Sequence, residues 1–486
     1  MRRRCILGLS GFILVMIGGI TSFTWDAILD FIIAKELPLK PDSLSFKLWK
    51  DPEVPIRLNV YFFNWTNPEQ IYDSEFKPNF VEIGPYVFRE YYMKVNFTWN
   101  ENNTVSYNRK RYWHFEEENS VGRLEDNITT LNPIALSAAY ISRNRNIWIR
   151  LTVSSVIKMS QQKISVTRTV GTFLFSGYSD VMLTLTSAMP VLFSKDNSAK
   201  FDKFAWYYKR NGSEAYDGVY NMDTGADDVR KIGRMREWNH RNRTNAYKGE
   251  TGKLYYKEDR EVMGVPGYLY VGTRSFFDSG ESDNWCLCDG ECVPYGAINI
   301  SACQYGSPIF TSYPHFLYAH PSYLEKVQGL KPSETKHRFE MTIDPKTGII
   351  LEGKIRMQVN VLLQPYNNIQ LFNGVPKMLF PMIWVENNAI VHNEYADLLK
   401  TLQTIHQAGL YSSIGVLLLG LSVMIIAFLL WKLNKKSEGK ISADKNKYNA
   451  LKTMKYLIFR KKKLQVPVNA EEHDLIKIKE SNIIIK

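Results

Sequence analysis

The chain has 486 residues, 45% of them hydrophobic and 13% aromatic, and its 61 Lys and Arg exceed its 49 Asp and Glu by 12. The surplus sits wholly at the ends: Arg2, Arg3 and Arg4 supply three charges, and the 15 basic and 6 acidic residues from Lys432 to Lys486 supply nine. Residues 5–431 are therefore neutral overall, and the nucleic-acid reading that a basic chain invites is excluded.

Two uncharged apolar runs, Cys5 to Trp25 and Gln407 to Trp431, are each long enough to cross a bilayer, because a helix needs about 20 apolar residues to span the hydrocarbon core. The first begins like a signal peptide but exceeds a usual signal core, and no small-x-small cleavage site closes it. Lys and Arg beside a span stay on the cytosolic side. The expected organisation is a cytosolic 1–4, a span over 5–25, a glycosylated lumenal or extracellular domain over 26–406, a second span over 407–431 and a basic cytosolic tail over 432–486. Asn64, Asn96, Asn102, Asn127, Asn211, Asn242 and Asn299 each head an Asn-x-Ser/Thr acceptor, and all fall between the two runs.

Within the loop, Asn132-Pro133 makes an N-cap and N1 pair that predicts a helix over 134–143. A second helix is expected from Trp148 to about Lys163, with Ile149, Val153, Val156 and Ile157 as one apolar stripe flanked by Lys158 and Lys163. Cys286, Cys288, Cys292 and Cys303 cluster further on, and an oxidising compartment favours disulfides over zinc for them. Spacing leaves all three connectivities open. Cys5, at the cytosolic edge, reads as a buried or palmitoylated thiol. From Ile349 to Leu363 almost every odd position is apolar and the even ones are polar from Glu352 to Asn360, which predicts a long strand with one buried face, in a barrel-like sheet. Asp344-Pro345-Lys346-Thr347-Gly348 supplies a turn, so Arg338 to Ile343 should pair back as a hairpin.

The tail holds Tyr448-Asn449-Ala450-Leu451 and Glu471-Glu472-His473-Asp474-Leu475-Ile476, patterns of tyrosine-based and acidic dileucine sorting signals that adaptors bind in extended form. Arg460 to Lys463, beside Leu457, Ile458 and Phe459, offer the alternative of contact with anionic lipid. No His-Glu-x-x-His, Gly-x-Ser-x-Gly or phosphate-binding Gly-rich loop occurs, so neither catalysis, a cofactor nor a metal is expected. His315 and His320 read as structural or surface residues.

In order, Asn67-Pro68, Gly84-Pro85-Tyr86, Gly177-Tyr178-x-Asp180, Asp217-Gly218-Val219-Tyr220, Gly264-Val265-Pro266, the cysteine cluster and Pro314-His315-Phe316-Leu317-Tyr318-Ala319 resemble the landmarks of the class B scavenger receptors. Among members the chain looks most similar to the insect croquemort-like branch. The resemblance implies an α+β ectodomain with an antiparallel β-barrel core, an apical helical bundle and an apolar tunnel that leads toward the bilayer, with Val359 on its inward face. It implies a cell-surface receptor that takes up fatty acids, lipoproteins or carotenoids and engages apoptotic-cell or microbial surfaces, or alternatively a lysosomal or endosomal membrane protein that carries lipid or an enzyme. Cys288 and Cys292 match the local pair that bridges in relatives, leaving Cys286 with Cys303. The lysine that contacts fatty acid in some relatives falls at Met159 here. Lys158 beside it points about 100° round the helix, so the role does not transfer by a simple shift.

Overall fold

The structure, a computed structural model, describes residues 2–52, 56–73, 75–188, 202–242, 252–278 and 291–463. The chain divides into two compact units, Met1–Ile28 with Ile405–Lys486, and Leu29–Thr404. The first is built from parts of two long helices, α1 (Arg2–Glu36) and a C-terminal helix, α8 (Asn393–Lys463). Ile6–Glu36 and Asn393–Arg460 are both long and apolar enough to cross a membrane. Within this unit the two helices touch through glycines: a Cβ on Gly420 would meet Val15 N at 2.6 Å and Gly11 O at 2.9 Å. Beyond that seam Trp25 Nε1 donates to His406 O at 2.9 Å, and Asp26 faces His406 Nε2 at 2.5 Å.

The second unit is a mixed helix-and-sheet domain. Its helices are α2 (Leu44–Lys50), α3 (Pro133–Ser142), α4 (Ile147–Met159), α5 (Val181–Ala188), α6 (Ser322–Glu325) and α7 (Glu334–His337), with the first residues of α8. Its strands are β1 (Ile56–Trp65), β2 (Phe80–Asn100), β3 (Thr104–Phe115), β4 (Asn127–Leu131), β5 (Ser165–Thr169), β6 (Val219–Asp223), β7 (Met235–Trp238), β8 (Leu254–Val262), β9 (Val265–Gly272), β10 (Ala297–Asn299), β11 (Ile309–Ser312), β12 (Glu340–Ile343), β13 (Ile350–Leu363) and β14 (Met378–Ile390). Twelve strands form one sheet: ten run in the order β7-β6-β3-β2-β1-β14-β13-β12-β9-β8, and β11 branches from β13 with β10 beside it, while β4 with β5 forms a separate ribbon.

That order corrects the expected barrel, because among the described residues the sheet does not close. Two physical reasons are visible. β13 divides its free edge, pairing with β12 near Glu352 and with β11 near Val359, so the sheet forks there. The end strands are also poor partners for each other: β7 has four residues, and β8 carries Lys257, Glu258, Asp259, Arg260 and Glu261 in succession. Charge at an edge strand discourages further pairing.

Local expectations fare better. Asn132 caps α3, its Oδ1 accepting from Ile134 N at 3.2 Å and Ala135 N at 3.1 Å. β12 and β13 form the hairpin read from the turn residues. α4 buries Val153 and Ile157 and half-buries Ile149 and Val156, the expected stripe. It stops at Met159, short of Lys163, because Gln161 turns to a left-handed φ of 52°. The main core lies where β1, β2, β13 and β14 meet α3 and α4, around Trp65, Tyr86, Phe173 and Phe380.

Candidate functional site

Strand register decides which side chains share a face, since directly opposed residues point the same way and neighbours along a strand alternate. Val359 opposes Ile383, Met357 opposes Val385 and Ile355 opposes Asn387. Across the next pairing Ile383, Val385 and Asn387 oppose Phe62, Val60 and Leu58. Val60 and Leu58 in turn oppose Tyr86 and Phe88. Four adjacent strands therefore present one mainly apolar face. Phe62, Leu58, Val60, Tyr86 and Phe88 are buried on it, whereas Ile355, Met357 and Val359 are half-buried, the first two packed against the cluster of Phe277, Tyr313 and Phe339 and the third against the main core. The part of this row that its neighbours leave uncovered, at the middle of a twelve-stranded sheet, is surface that an apolar ligand can cover.

The opposite face of β13 departs from expectation. Arg356, Gln358 and Asn360, read as solvent-facing, are buried. They are covered by the segment from Tyr313 to Arg338, and each is satisfied. Arg356 donates to Glu386 Oε2 at 2.5 Å and to Arg338 O at 2.8 Å. Gln358 Oε1 accepts from His315 N at 2.7 Å, while Gln358 Nε2 donates to Asn360 Oδ1 at 2.7 Å. Alternation revealed two chemically distinct faces, but the polar one serves as an internal anchor rather than a wetted surface.

His315 and His337 stack on this anchor, their ring centres 4.3 Å apart, beside Glu82 of β2. The three residues are close enough to hold a metal ion, yet their hydrogen bonds argue otherwise. His315 Nδ1 accepts from Lys331 N at 3.0 Å and His337 Nδ1 accepts from Ser333 N at 3.0 Å. A neutral imidazole whose Nδ1 accepts must carry its proton on Nε2, which leaves no lone pair there for a cation. His315 Nε2 instead donates to Glu82 Oε2 at 2.5 Å, and Trp384 Nε1 donates to the same oxygen at 2.7 Å. Burial would raise the Glu82 pKa, but the bonds from His315 and Trp384 hold it below the usual carboxylate range. Burial, reinforced by the neighbouring His315, pushes His337 down to about 3. The cluster is a polar tie between β2, β14 and the covering segment, consistent with the structural role read for His315.

On α4, Lys158 and Met159 are exposed, Met159 by 83%. Lys163 is exposed too but lies beyond the helix, so it flanks no stripe. The apolar stripe is packed inward, and the apolar surface beside Lys158 is made by Met159, already named in the sequence analysis, with Ile147, Trp148 and Leu151, which it did not single out. The spacing of Ile147 and Leu151, four apart on a second helical face, was the available signal.

Asn96, Asn102, Asn127, Asn211 and Asn242 are exposed, and Asn64 is half-buried with its Oδ1 accepting from Thr129 N at 2.8 Å. Asn299 departs from the expected surface position: it is buried in β10, its Oδ1 taken by Ser301 N at 2.9 Å. Cys292 is disulfide-bonded. Cys286 and Cys288 lie outside the described residues, and Cys303 closes a short turn, Ser301–Cys303. Tyr448 and Leu451 sit exposed on α8, in helix rather than the extended form that adaptor pockets take. Glu471, Leu475 and Ile476 lie outside the described residues.

Residues 9–255 and 250–431 match the CD36 family. The chain is 34% identical over 399 residues to Protein peste of Drosophila melanogaster, covering 74% of this chain and 71% of that one. It is 28% identical over 465 residues to scavenger receptor class B member 1 of Bos taurus, covering 87% and 88%. To lysosome membrane protein 2 of Rattus norvegicus it is 29% identical over 437 residues, covering 83% and 88%. With nearly its whole length matched and both apolar helices in place, the chain belongs to the CD36 family.

Proposed function

We propose that this protein is a membrane-anchored scavenger-type receptor that binds apolar or amphiphilic lipid on the inner face of its sheet and passes it toward the bilayer. The observation that carries the reading is the row Ile355, Met357 and Val359, only partly buried in mid-sheet on the face shared with Leu58, Val60 and Ile383. Fatty acids, lipoprotein lipids and carotenoids are the ligand classes such a face suits, because covering it removes apolar area from water at about 25 cal/mol per Å². A tunnel through the domain is part of this proposal. The chemistry asked of the chain is binding and transfer, with no bond made or broken. The exposed α4 face, with Lys158 beside Trp148, Leu151 and Met159, is the proposed point of first contact with lipid particles or with apoptotic-cell and microbial surfaces. Mass spectrometry of a lipid extract from the purified chain tests the reading: co-purifying apolar lipid is expected, and its absence from protein that also fails to load added lipid overturns it.

In the proposed topology both termini are cytosolic and residues 26–406 lie outside or in a lumen, with Cys288 bridging Cys292 and Cys286 bridging Cys303. A second reading places the protein in lysosomal or endosomal membrane. It draws support from the likeness to lysosome membrane protein 2 and from the dileucine pattern at Leu475 and Ile476. Imaging of the native protein against surface and lysosomal markers separates the two.

A further inference from the structure

The apolar face described above continues along β2 and β3 and changes character. On β2, Phe88 is followed at alternate positions by Glu90, Tyr92 and Lys94, which register places opposite Trp113, Arg111 and Arg109 of β3. Glu90 accepts from Trp113 Nε1 at 3.1 Å and pairs with Arg111 at 3.4 Å, and Arg111 also faces Asp217 at 2.9 Å. Those charges compensate one another. Lys94 stands outside this group, and Arg109 reaches it only through the field of Glu90, without contact. They are directly opposed like charges, an arrangement that costs stability on a sheet.

Among the described residues neither cation has a carboxylate in contact. Lys94 is buried, donates to Trp49 O, and has its ammonium 4.4 Å from the Trp49 ring centre and 5.1 Å from that of Tyr92. The Arg109 guanidinium lies 4.7 Å from the ring centre of Tyr220, forms no ion pair among the described residues, and has a buried Nε without a hydrogen-bond partner. Asp51, exposed at the end of α2, is the acidic group that acts on Lys94 from a distance. Burial, with Arg109 second, lowers the Lys94 pKa to about 7, as an uncompensated site requires. Buried charge is ordinarily paired, and among the described residues no anion lies against this pair.

We propose that Lys94 and Arg109 form an oxyanion site that takes the carboxylate or phosphate headgroup of an amphiphile whose alkyl chain lies on the apolar part of the same face. Lys94 stands six residues from Phe88, about 20 Å at the strand rise. The proposal rests on the lipid-receptor reading and adds a headgroup preference to it.

The test uses the full chain in neutral phosphatidylcholine nanodiscs, with oleate, oleyl alcohol and inorganic phosphate as probes and Lys94→Met and Arg109→Gln as variants. Oleate should bind the parent about tenfold more tightly than oleyl alcohol, and each variant should lose about that factor for oleate while holding the alcohol within about twofold, the scale of one charge-assisted hydrogen bond. Both variants should also melt no lower than the parent, since each removes one of two opposed like charges. A lower melting temperature with equal losses for both probes makes the pair structural and overturns the site. So does oleate binding that neither variant weakens. Inorganic phosphate binding as tightly as oleate overturns the lipid headgroup as the source of the anion, whereas failure of phosphate to displace oleate supports it. If neither oleate nor oleyl alcohol binds the parent, the lipid-receptor reading itself falls.

Discussion

His337 shows how one buried group sets a response to acid. Its pKa in the fold, about 3, lies below the ordinary histidine value of 6.5, so folding is favoured by the neutral form. A depressed folded value gives stability that is present above the unfolded pKa and lost as pH falls from there toward the folded one. The loss approaches about 1.4 kcal/mol per pH unit below 6.5, or roughly 2 kcal/mol at pH 5. Glu82, also held below its usual range, loses stability in the same direction on stronger acidification. Denaturant unfolding at pH 7.5 and 5 should show this drop in the parent and a flatter profile in His337→Gln; an unchanged slope would place the acid sensitivity elsewhere. Asn132 is a second decisive residue. Besides capping α3 it donates to Gln162 Oε1 at 2.8 Å and Lys163 O at 3.1 Å. Asn132→Ala is expected to cost about 2 kcal/mol, the upper end for a cap, read as a lower denaturation midpoint at constant m-value.

At the scale of elements, β13 joins two environments that a single strand keeps apart, a mainly apolar face, the proposed lipid surface, and a buried polar anchor. Val359→Trp adds bulk to the first without touching the second. Lipid loading of the purified variant should fall, and because overpacking costs about 1 to 3 kcal/mol, the melting temperature must be read alongside. Normal loading by a folded variant removes Val359 from the site. The membrane helices make a different demand. Without a hydrophobic drive between spans, close approach of backbones supplies the contact, and glycine permits it. A Cβ on Gly18 would run into the Leu417 backbone, and one on Gly11 would meet Met424 Cγ at 2.8 Å, whereas Gly8 and Gly415 face open space. Gly18→Leu and Gly420→Leu should therefore lower the thermal stability of the detergent-solubilised chain, with Gly8→Leu and Gly415→Leu as silent controls. Equal behaviour of all four would show that the seam contributes nothing.

For the whole molecule, the proposed topology follows from charge at the ends and neutrality between them. Protease added to intact cells should digest the loop and spare tags on both termini; an accessible N-terminal tag would refute two uncleaved anchors. Glycan mapping checks the burial pattern independently. Asn102→Gln should reduce the mass of the mature protein by one glycan, and Asn299→Gln should leave it unchanged, because that side chain is enclosed in β10.

Sequence alone determined whatever depends on neighbours along the chain: two apolar helices, the Asn132 cap, the stripe Ile149–Val153–Val156–Ile157, the β12–β13 turn and the family landmarks. These signals are local, written in helical or strand period and in turn chemistry. Tertiary structure decided what depends on distant partners. The alternation along β13 was legible, but that Arg356, Gln358 and Asn360 are buried follows from the Tyr313–Arg338 segment folding over them. The open sheet follows from β11 and β12 sharing one edge. Lys94 and Arg109, fifteen residues apart in the chain, become opposed charges only when β2 and β3 pair in one register. A one-residue slip would turn one of them to the other face, and nothing in the local sequence specifies that register without the strands that flank it.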